Sequence, residues 1–154
     1  MVCGAFVATT KAPLIFIPPK ARKAANFIEN VYKPGLIPFL HQHDPNRSCN
    51  LVLMEDSAPV HKAKLSDDFR HNKNITRLPN WPPQSPNLNP IENVWKVLKN
   101  NIQEFYHPRS ISEMQHCLKL PWDDFPRQVL LNLIESMPES MQAVIDADRG
   151  LTPW

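Results

Sequence analysis

Two acids in this sequence stand where a phosphate-processing site would want them. Asp56 follows closely on Leu51-Val52-Leu53-Met54, an unbroken apolar run, and Glu92 heads an amphipathic stretch that begins at Pro90. A continuous apolar run suits a strand buried on both faces, and open α/β sheets place ligand sites at the C-terminal ends of their strands. Mg²⁺ prefers hard oxygen ligands; it takes one or two carboxylates and leaves the other positions to water and phosphate. A pair of such ions activates an attacking oxygen and stabilises the leaving one. Both acids also have plainer uses. Asp56 before Ser57-Ala58-Pro59 suits a turn or helix cap. Glu92 suits a capping box with Asn89, or an ion pair with Lys96 one turn on. Spacing alone leaves both uses open.

The elements that must position these acids follow from periodicity and punctuation. Val2–Val7 and Leu14–Ile17 read as two strands of a hairpin joined through residues 8–13. Ala24, Phe27, Ile28, Val31, Leu36, Ile37 and Leu40 keep helical spacing over about 21–40, with Pro34-Gly35 breaking the segment in two. Residues 41–49 read as a polar loop, Leu51–Met54 as a strand, the stretch to His71 as a helix, and Ile75–Leu78 as a short strand. Trp81–Pro90 is a rigid loop. Asn89 is then the N-cap of a helix, Pro90 its first residue, and Ile91, Val94, Trp95, Leu98 and Ile102 its apolar stripe. Two or three further helices fill Ser110–Ala147. Strands alternating with helices predict an α/β or α+β layer fold.

Bulk properties narrow the function classes without choosing among them. The 154 residues suit one domain, 1–154, and 42% hydrophobic with 21% charged is ordinary globular usage. Seventeen prolines against three glycines predict short elements joined by stiff loops. The net charge of +2 is too small to establish a nucleic-acid partner. Six Lys/Arg against two acids in residues 1–50 give way to two against six in residues 120–154, so the body is mildly basic and the end acidic. Cys3, Cys49 and Cys117 form neither a disulfide framework nor a zinc pair. No apolar run approaches the ~18 residues of a membrane helix, and Lys11 interrupts the apolar N-terminus. The chain therefore reads as soluble and intracellular.

Wording goes further than spacing. Met54-Glu55-Asp56-Ser57-Ala58-Pro59-Val60-His61 resembles the Q-D-N-A-P-x-H segment around the second acid of Tc/mariner transposases. Residues 81–95, Trp-Pro-Pro-Gln-Ser-Pro-Asn-Leu-Asn-Pro-Ile-Glu-Asn-Val-Trp, resemble the W-P-x-x-S-P-D-L-N-P-I-E-N-x-W segment that carries the third. The 35 residues between Asp56 and Glu92 match the spacing of that family. Val2-Cys3-Gly4-Ala5-Phe6 is similar to its V-W-G-x-F strand, and Ser136-Met137-Pro138 with Ala143-Val144-Ile145 to its S-M-P-x-R…A-V-I ending.

That resemblance implies an α/β, RNase H-like mixed sheet flanked by helices, with a helical C-terminal region. It implies cutting and joining of DNA with Mg²⁺ or Mn²⁺ held by three acids, in the nucleus if the source is eukaryotic. Asp56 then corresponds to the second acid and Glu92 to the third. Asn89, Pro90 and Ile91 would position Glu92, the Pro82–Pro90 loop would wall the site, and His61 falls on the motif histidine. The family's first acid lies on a central strand upstream of the V-W-G segment, a position that would precede Met1. The acids before Asp56 are Glu29, Asp44 and Glu55. Glu29 falls in a helix, Asp44 in a loop, and Glu55 should point away from Asp56 by strand alternation. The sheet is therefore expected to be incomplete, and the activity impaired, unless a second copy or a partner chain supplies the strand. Cys3 for Trp, Glu55 and Ser57 for Gln and Asn, and Asn87 for Asp are further departures.

Two other readings compete. A non-catalytic nucleic-acid-binding or regulatory remnant would use Lys20, Arg22, Lys23, Lys62, Lys64, Lys96 and Lys99 on phosphates, since Lys/Arg neutralisation supplies most non-specific affinity. A small metal module would use His41, His43 and Cys49, whose spacing is loose for zinc.

Overall fold

A computed structural model describes residues 1–18, 23–46, 50–79, 81 and 88–146. These fall into two compact units. Unit 1 takes Met1–Ala5 and Ala12–Gln84; unit 2 takes Phe6–Lys11 and Ser85–Trp154. Lys20, Arg22, Cys49 and most of the expected Pro82–Pro90 wall lie outside the described residues. Among the described residues no helix is long and apolar enough to cross a membrane.

In unit 1, β1 (Val2–Cys3) pairs antiparallel with β4 (Ile15–Phe16), Val2 opposite Phe16 and Cys3 opposite Ile15. The ladder extends outward, for Ile17 N–H donates to Met1 O at 2.8 Å and the Met1 ammonium donates to Ile17 O. A helical stretch follows as α1 (Ala24–Phe27), a π-helical segment (Ile28–Leu36) and α2 (Ile37–His43). The expected break at Pro34-Gly35 does not occur. Proline cannot donate, and its ring collides with the carbonyl four residues back in an α-helix; the wider π turn accommodates both problems, and Ile37 N–H reaches Tyr32 O instead. The helix also runs on through His43, so the expected polar loop at 41–49 starts late.

The apolar side of this stretch is the core of unit 1: Phe27, Ile28, Val31, Tyr32 and Leu36 are buried with Ile17. Parallel strands β5 (Val52–Leu53) and β6 (Thr76–Arg77) complete the unit with α3 (Pro59–Lys62) and α4 (Lys64–Asn72). Asn50 and Asn74 turn the chain in the left-handed region, at φ 48° and 50°, shortly before β5 and β6; asparagine tolerates that region better than most side chains. Leu53 packs on the core, but Val52 is half exposed, so the strand is not buried on both faces as its apolar run suggested.

In unit 2, β2 (Phe6–Val7) and β3 (Thr10–Lys11) form a tight hairpin, with Val7 opposite Thr10. The expected six-residue connection therefore shortens to Ala8-Thr9. Helices α5 (Pro90–Phe105), α6 (Ile111–Asp123), α7 (Arg127–Glu135) and α8 (Met137–Asp146) make the rest. Val94, Leu98, Trp122 and Leu130 are almost fully buried, and Trp95 stacks on Trp122 with centroids 5.5 Å apart. Lys11 donates from Nζ to Asp123 O and Phe125 O at 3.0 and 2.8 Å, satisfying carbonyls at the end of α6.

The expected single mixed sheet is, among the described residues, three separate two-stranded ladders, one parallel and two antiparallel. β1 pairs with β4 alone and β5 with β6 alone, so each keeps an edge with no ladder partner there.

Candidate functional site

Asp56 lies three residues beyond β5, in extended chain that has left the ladder. Its Oδ1 accepts from Ala58 N–H at 3.0 Å, an Asx turn that aims the chain into α3. The turn-capping use of Asp56 is thus realised, while Ala58, not Asp56, is the N-cap of α3. The side chain is 55% exposed, and among the described residues Oδ2 makes no hydrogen bond.

Beside it stands a buried polar cluster that pattern reading missed. Glu55, expected to face away from Asp56, shares His61 with it: His61 Nδ1 lies 3.0 Å from Glu55 Oε1 and Nε2 lies 3.5 Å from Asp56 Oδ1. Strand alternation does not apply because β5 ends at Leu53. Tyr32 OH donates to Glu55 Oε1 at 2.6 Å, and Arg70 Nη1 donates to Glu55 Oε2 at 3.0 Å and to Tyr32 Oη at 2.7 Å. Arg70 Nη2 donates to His61 O at 2.7 Å and pairs with Asp67. Arg77 donates to Asp56 O at 3.1 Å, while its buried Nε faces Glu55 without a hydrogen bond. The His61 ring stands edge-on to Phe27 at 4.9 Å, so apolar packing as well as polar contact holds its plane.

The electrostatics follow from burial and these partners. Burial by itself pushes the Glu55 carboxyl up, but hydrogen bonds and charge from His61, Tyr32 and Arg70 outweigh it, leaving the group below the ordinary range. The Tyr32 hydroxyl is driven far up, first by burial and then by the Glu55 charge, so it is a fixed donor. Burial raises the Cys3 thiol to about 11, with Asp56 and Glu55 adding to it against the N-terminal ammonium. Arg70 could have been found in the sequence. On α4 it shares the buried phase of Ser66 and Phe69, a charge where the period calls for an apolar residue.

Glu92 sits in the first turn of α5, as expected. Asn89 caps that helix: its side chain accepts from Ile91 N–H at 3.4 Å, and Pro90 opens the first turn. Asn89 and Pro90 are buried, and Ile91 is half-buried. Neither structural partner expected for Glu92 is present; among the described residues its carboxylate makes no hydrogen bond with Asn89 and no ion pair with Lys96. Replacing Asn89 by Ala should cost about 1 kcal/mol of stability through the lost cap, with Asn89→Ser keeping most of it. Equilibrium unfolding in urea measures both, and equal stability of all three chains would show that the 3.4 Å contact contributes nothing.

Lys23, Lys62, Lys64, Lys96 and Lys99 are all exposed. His41 is exposed and His43 packs on Phe39, with Cys49 outside the described residues. Among the described residues no group of three His, Cys, Asp or Glu side chains is placed to hold a metal.

Three kinds of comparison bear on this arrangement. The family model described as DDE superfamily endonuclease matches residues 20–115. The Tc1 transposase of Caenorhabditis elegans is 30% identical over all 154 residues, which cover 54% of that relative. The Tcb1 transposase of Caenorhabditis briggsae is 30% identical over 150 residues, 96% of this chain and 51% of its own length. The chain thus spans about half the length of the curated relatives it matches. Among solved structures, the Mos1 mariner paired end complex with Mn superposes at a TM-score of 0.82 and 17% identity, covering 98% of this chain and 44% of that one. The Mos1 catalytic domain alone gives 0.74 at 19% identity, over 96% of this chain and 81% of that one. The fold is therefore that of the Mos1 catalytic domain, an RNase H-like fold, in a helix-rich form with small sheets.

Proposed function

Because this chain belongs to the DDE superfamily endonuclease family, we propose that it is a transposase-derived domain for metal-dependent DNA strand cleavage and transfer, with Asp56 and Glu92 as two of its cation ligands. The observation that carries this reading is the Glu92 carboxylate, unpaired among the described residues on a helix start fixed by Asn89 and Pro90. A first-turn acid suits the helix dipole by itself, but one held at a capped helix start with no protein partner among the described residues is also free to take a ligand position. Asp56 fits as well, since its carboxylate is half exposed, with Oδ1 held in place by the turn and Oδ2 making no hydrogen bond among the described residues. A bound divalent cation would supply Lewis-acid activation of the attacking oxygen and stabilise the leaving one. The chain's own residues do the rest: Asn89, Pro90 and Ile91 fix the height of Glu92, and the Asx turn fixes Asp56.

The other acids before Asp56 do not fill a third ligand position. Glu29 pairs with Lys33 on the helix surface, Asp44 is buried at the end of α2, and Glu55 is enclosed by Tyr32, His61 and Arg70. Mn²⁺ and Mg²⁺ appear with the Mos1 transposase structures, and transposon ends with some of them. For this chain we propose DNA as substrate and Mg²⁺ or Mn²⁺ as cofactor. We place Lys62, Lys64, Lys96 and Lys99 on phosphates, a second copy or a partner chain as the source of a completing strand, and the nucleus as the site of action in a eukaryote.

Supercoiled plasmid incubated with the chain and Mn²⁺ should be nicked slowly, and both Asp56→Ala and Glu92→Ala should lower the rate at least a hundredfold. Nicking indifferent to both substitutions would overturn the assignment. Salt-dependent DNA binding that survives Glu92→Gln, without any nicking, would favour the non-catalytic binding remnant; the four exposed lysines are the observation behind that second reading.

A further inference from the structure

His61 stands between two carboxylates that treat it differently. Its Nδ1 lies 3.0 Å from Glu55 Oε1, at hydrogen-bond distance, and its Nε2 lies 3.5 Å from Asp56 Oδ1. Glu55 is 8% exposed and Asp56 55% exposed, so one neighbour is locked inside and the other faces out. A neutral imidazole that donates from Nδ1 keeps a lone pair on Nε2. Nε2 is the ring nitrogen beside the half-exposed Asp56 carboxylate.

We propose that His61 Nε2 and Asp56 Oδ1 together hold one divalent cation, with Glu55 as the carboxylate that orients the imidazole. The proposal rests on the reading of Asp56 as a cation ligand and adds to it a nitrogen donor and the groups that fix that donor.

Three features of the geometry carry it. Two donors that each sit about 2.1 Å from a shared cation can be no more than about 4.2 Å apart, and these two are 3.5 Å apart. A metal-bound histidine almost always gives its other ring N–H to a carboxylate or carbonyl, which sets tautomer and ring orientation; Glu55 Oε1 lies 3.0 Å from Nδ1, with Tyr32 Oη 3.4 Å away on the same nitrogen. Glu55 cannot drift, because Tyr32 OH donates to the same Oε1 and Arg70 holds Oε2, while Arg70 also grips the backbone carbonyl of His61. The edge-on contact with Phe27 closes off ring rotation. A buried acid that only stabilised the fold would need none of this alignment toward Asp56.

The donor set has a chemical consequence. Mg²⁺ favours oxygen ligands in near-octahedral geometry, whereas affinity for a nitrogen-containing site rises along the first-row series beyond Mn²⁺. The His61–Asp56 pair should therefore take Mn²⁺ in preference to Mg²⁺, with water completing the shell.

The test uses the full chain labelled with ¹⁵N-histidine and Mn²⁺ alone as probe. Long-range ¹H–¹⁵N spectra should show His61 with its proton on Nδ1. Added Mn²⁺ should broaden the His61 ring and the Ala58 amide well before the rings of His41, His43, His71, His107 and His116. Asp56→Ala should abolish that selectivity. Glu55→Gln and His61→Gln should each weaken Mn²⁺ binding about tenfold, the size expected when an orienting partner or a ligand is lost. If Glu55→Gln fails to fold, His61→Gln gives the same readout with the Arg70–Glu55 pair intact. His61→Gln binding as tightly as the parent would overturn the role of His61 and leave Asp56 standing. Binding unchanged by Asp56→Ala, or no broadening at either position, would overturn both.

Discussion

A chain carrying Arg70→Met should lose about 3–5 kcal/mol of unfolding free energy at neutral pH, the cost of removing one partner of a buried ion pair. The Arg70 side chain is 3% exposed and donates to Tyr32, Glu55, the His61 carbonyl and Asp67. Methionine fills the volume of the stem and answers none of those acceptors. The Glu55 carboxylate, 8% exposed, is left with Tyr32, His61 and the more distant Arg77 Nε at 3.7 Å against its desolvation. Replacing both partners, as Glu55→Leu with Arg70→Met, should recover most of the loss, since a well-packed apolar pair is often no worse than a buried ionic one. Acid gives a second reading. The Glu55 carboxyl is lowered below 4.5 in the folded chain, so its contribution is fully present above about pH 4.5 and disappears as pH falls through the folded value. The parent should lose stability along that limb, Arg70→Met should show a shallower limb because one of the lowering charges is gone, and the double variant should show none from this site. Urea unfolding at pH 7 and at pH 3.5 measures all three chains. A single Arg70→Met variant within 1 kcal/mol of the parent would show that the cluster is solvated rather than closed.

This cluster also marks where sequence reading stopped. Helix α5 was legible residue by residue because its signals are local: a capping Asn89, a first-turn Pro90, and a stripe whose members Val94, Leu98 and Ile102 are indeed buried. Asp56 and Glu92 were legible as candidates because their motifs lie on short, rigid stretches. Glu55 was misplaced because alternation was extended past Leu53, where the ladder had already ended. Tyr32 and Arg70 come to it from 23 and 15 residues away, contacts that no local period encodes.

Pro34-Gly35 was read as a break for a similar reason. Both residues punctuate local structure, yet the packing asks something else of each. Pro34 is absorbed by a π-helical segment, and Gly35 makes room for a strand: a Cβ there would stand 2.3 Å from Ile15 Cδ1. The glycine is thus explained by a side chain twenty residues earlier, not by its own backbone freedom. The sheet shows the opposite limit. Short apolar runs forecast where strands would lie, but pairing depends on what lies alongside, and ladders of two residues cannot be told from longer ones by composition.

The second large effect belongs to unit 2, where Trp122→Ala should cost about 3–5 kcal/mol, the range for truncating a large buried aromatic. Trp122 is 1% exposed and its ring lies nearly parallel to Trp95, the planes 17° apart. Trp95 is on α5, one turn beyond Glu92, so the stack braces the helix that carries this acid. Alanine would open a cavity beneath α5, and the loss should reach the α5 N-terminus as well as the core. Trp122→Phe should keep roughly half the stability, because an aromatic face remains to meet Trp95. Phe105→Ala, at the exposed end of the same helix with 68% of its surface open, should stay within about 0.5 kcal/mol of the parent. Urea midpoints give the energies, and amide hydrogen exchange at Val94 and Leu98 reports whether α5 loosens. If Trp122→Ala lowered the midpoint while exchange at Val94 and Leu98 stayed at the parent rate, the tryptophan would be stabilising α6 alone. Glu92 would then owe its position to Asn89 and Pro90 without help from the core. Faster exchange along α5 would tie the acid to the packing of unit 2, and Mn²⁺-dependent nicking by Trp122→Phe should then fall between the parent and Glu92→Ala.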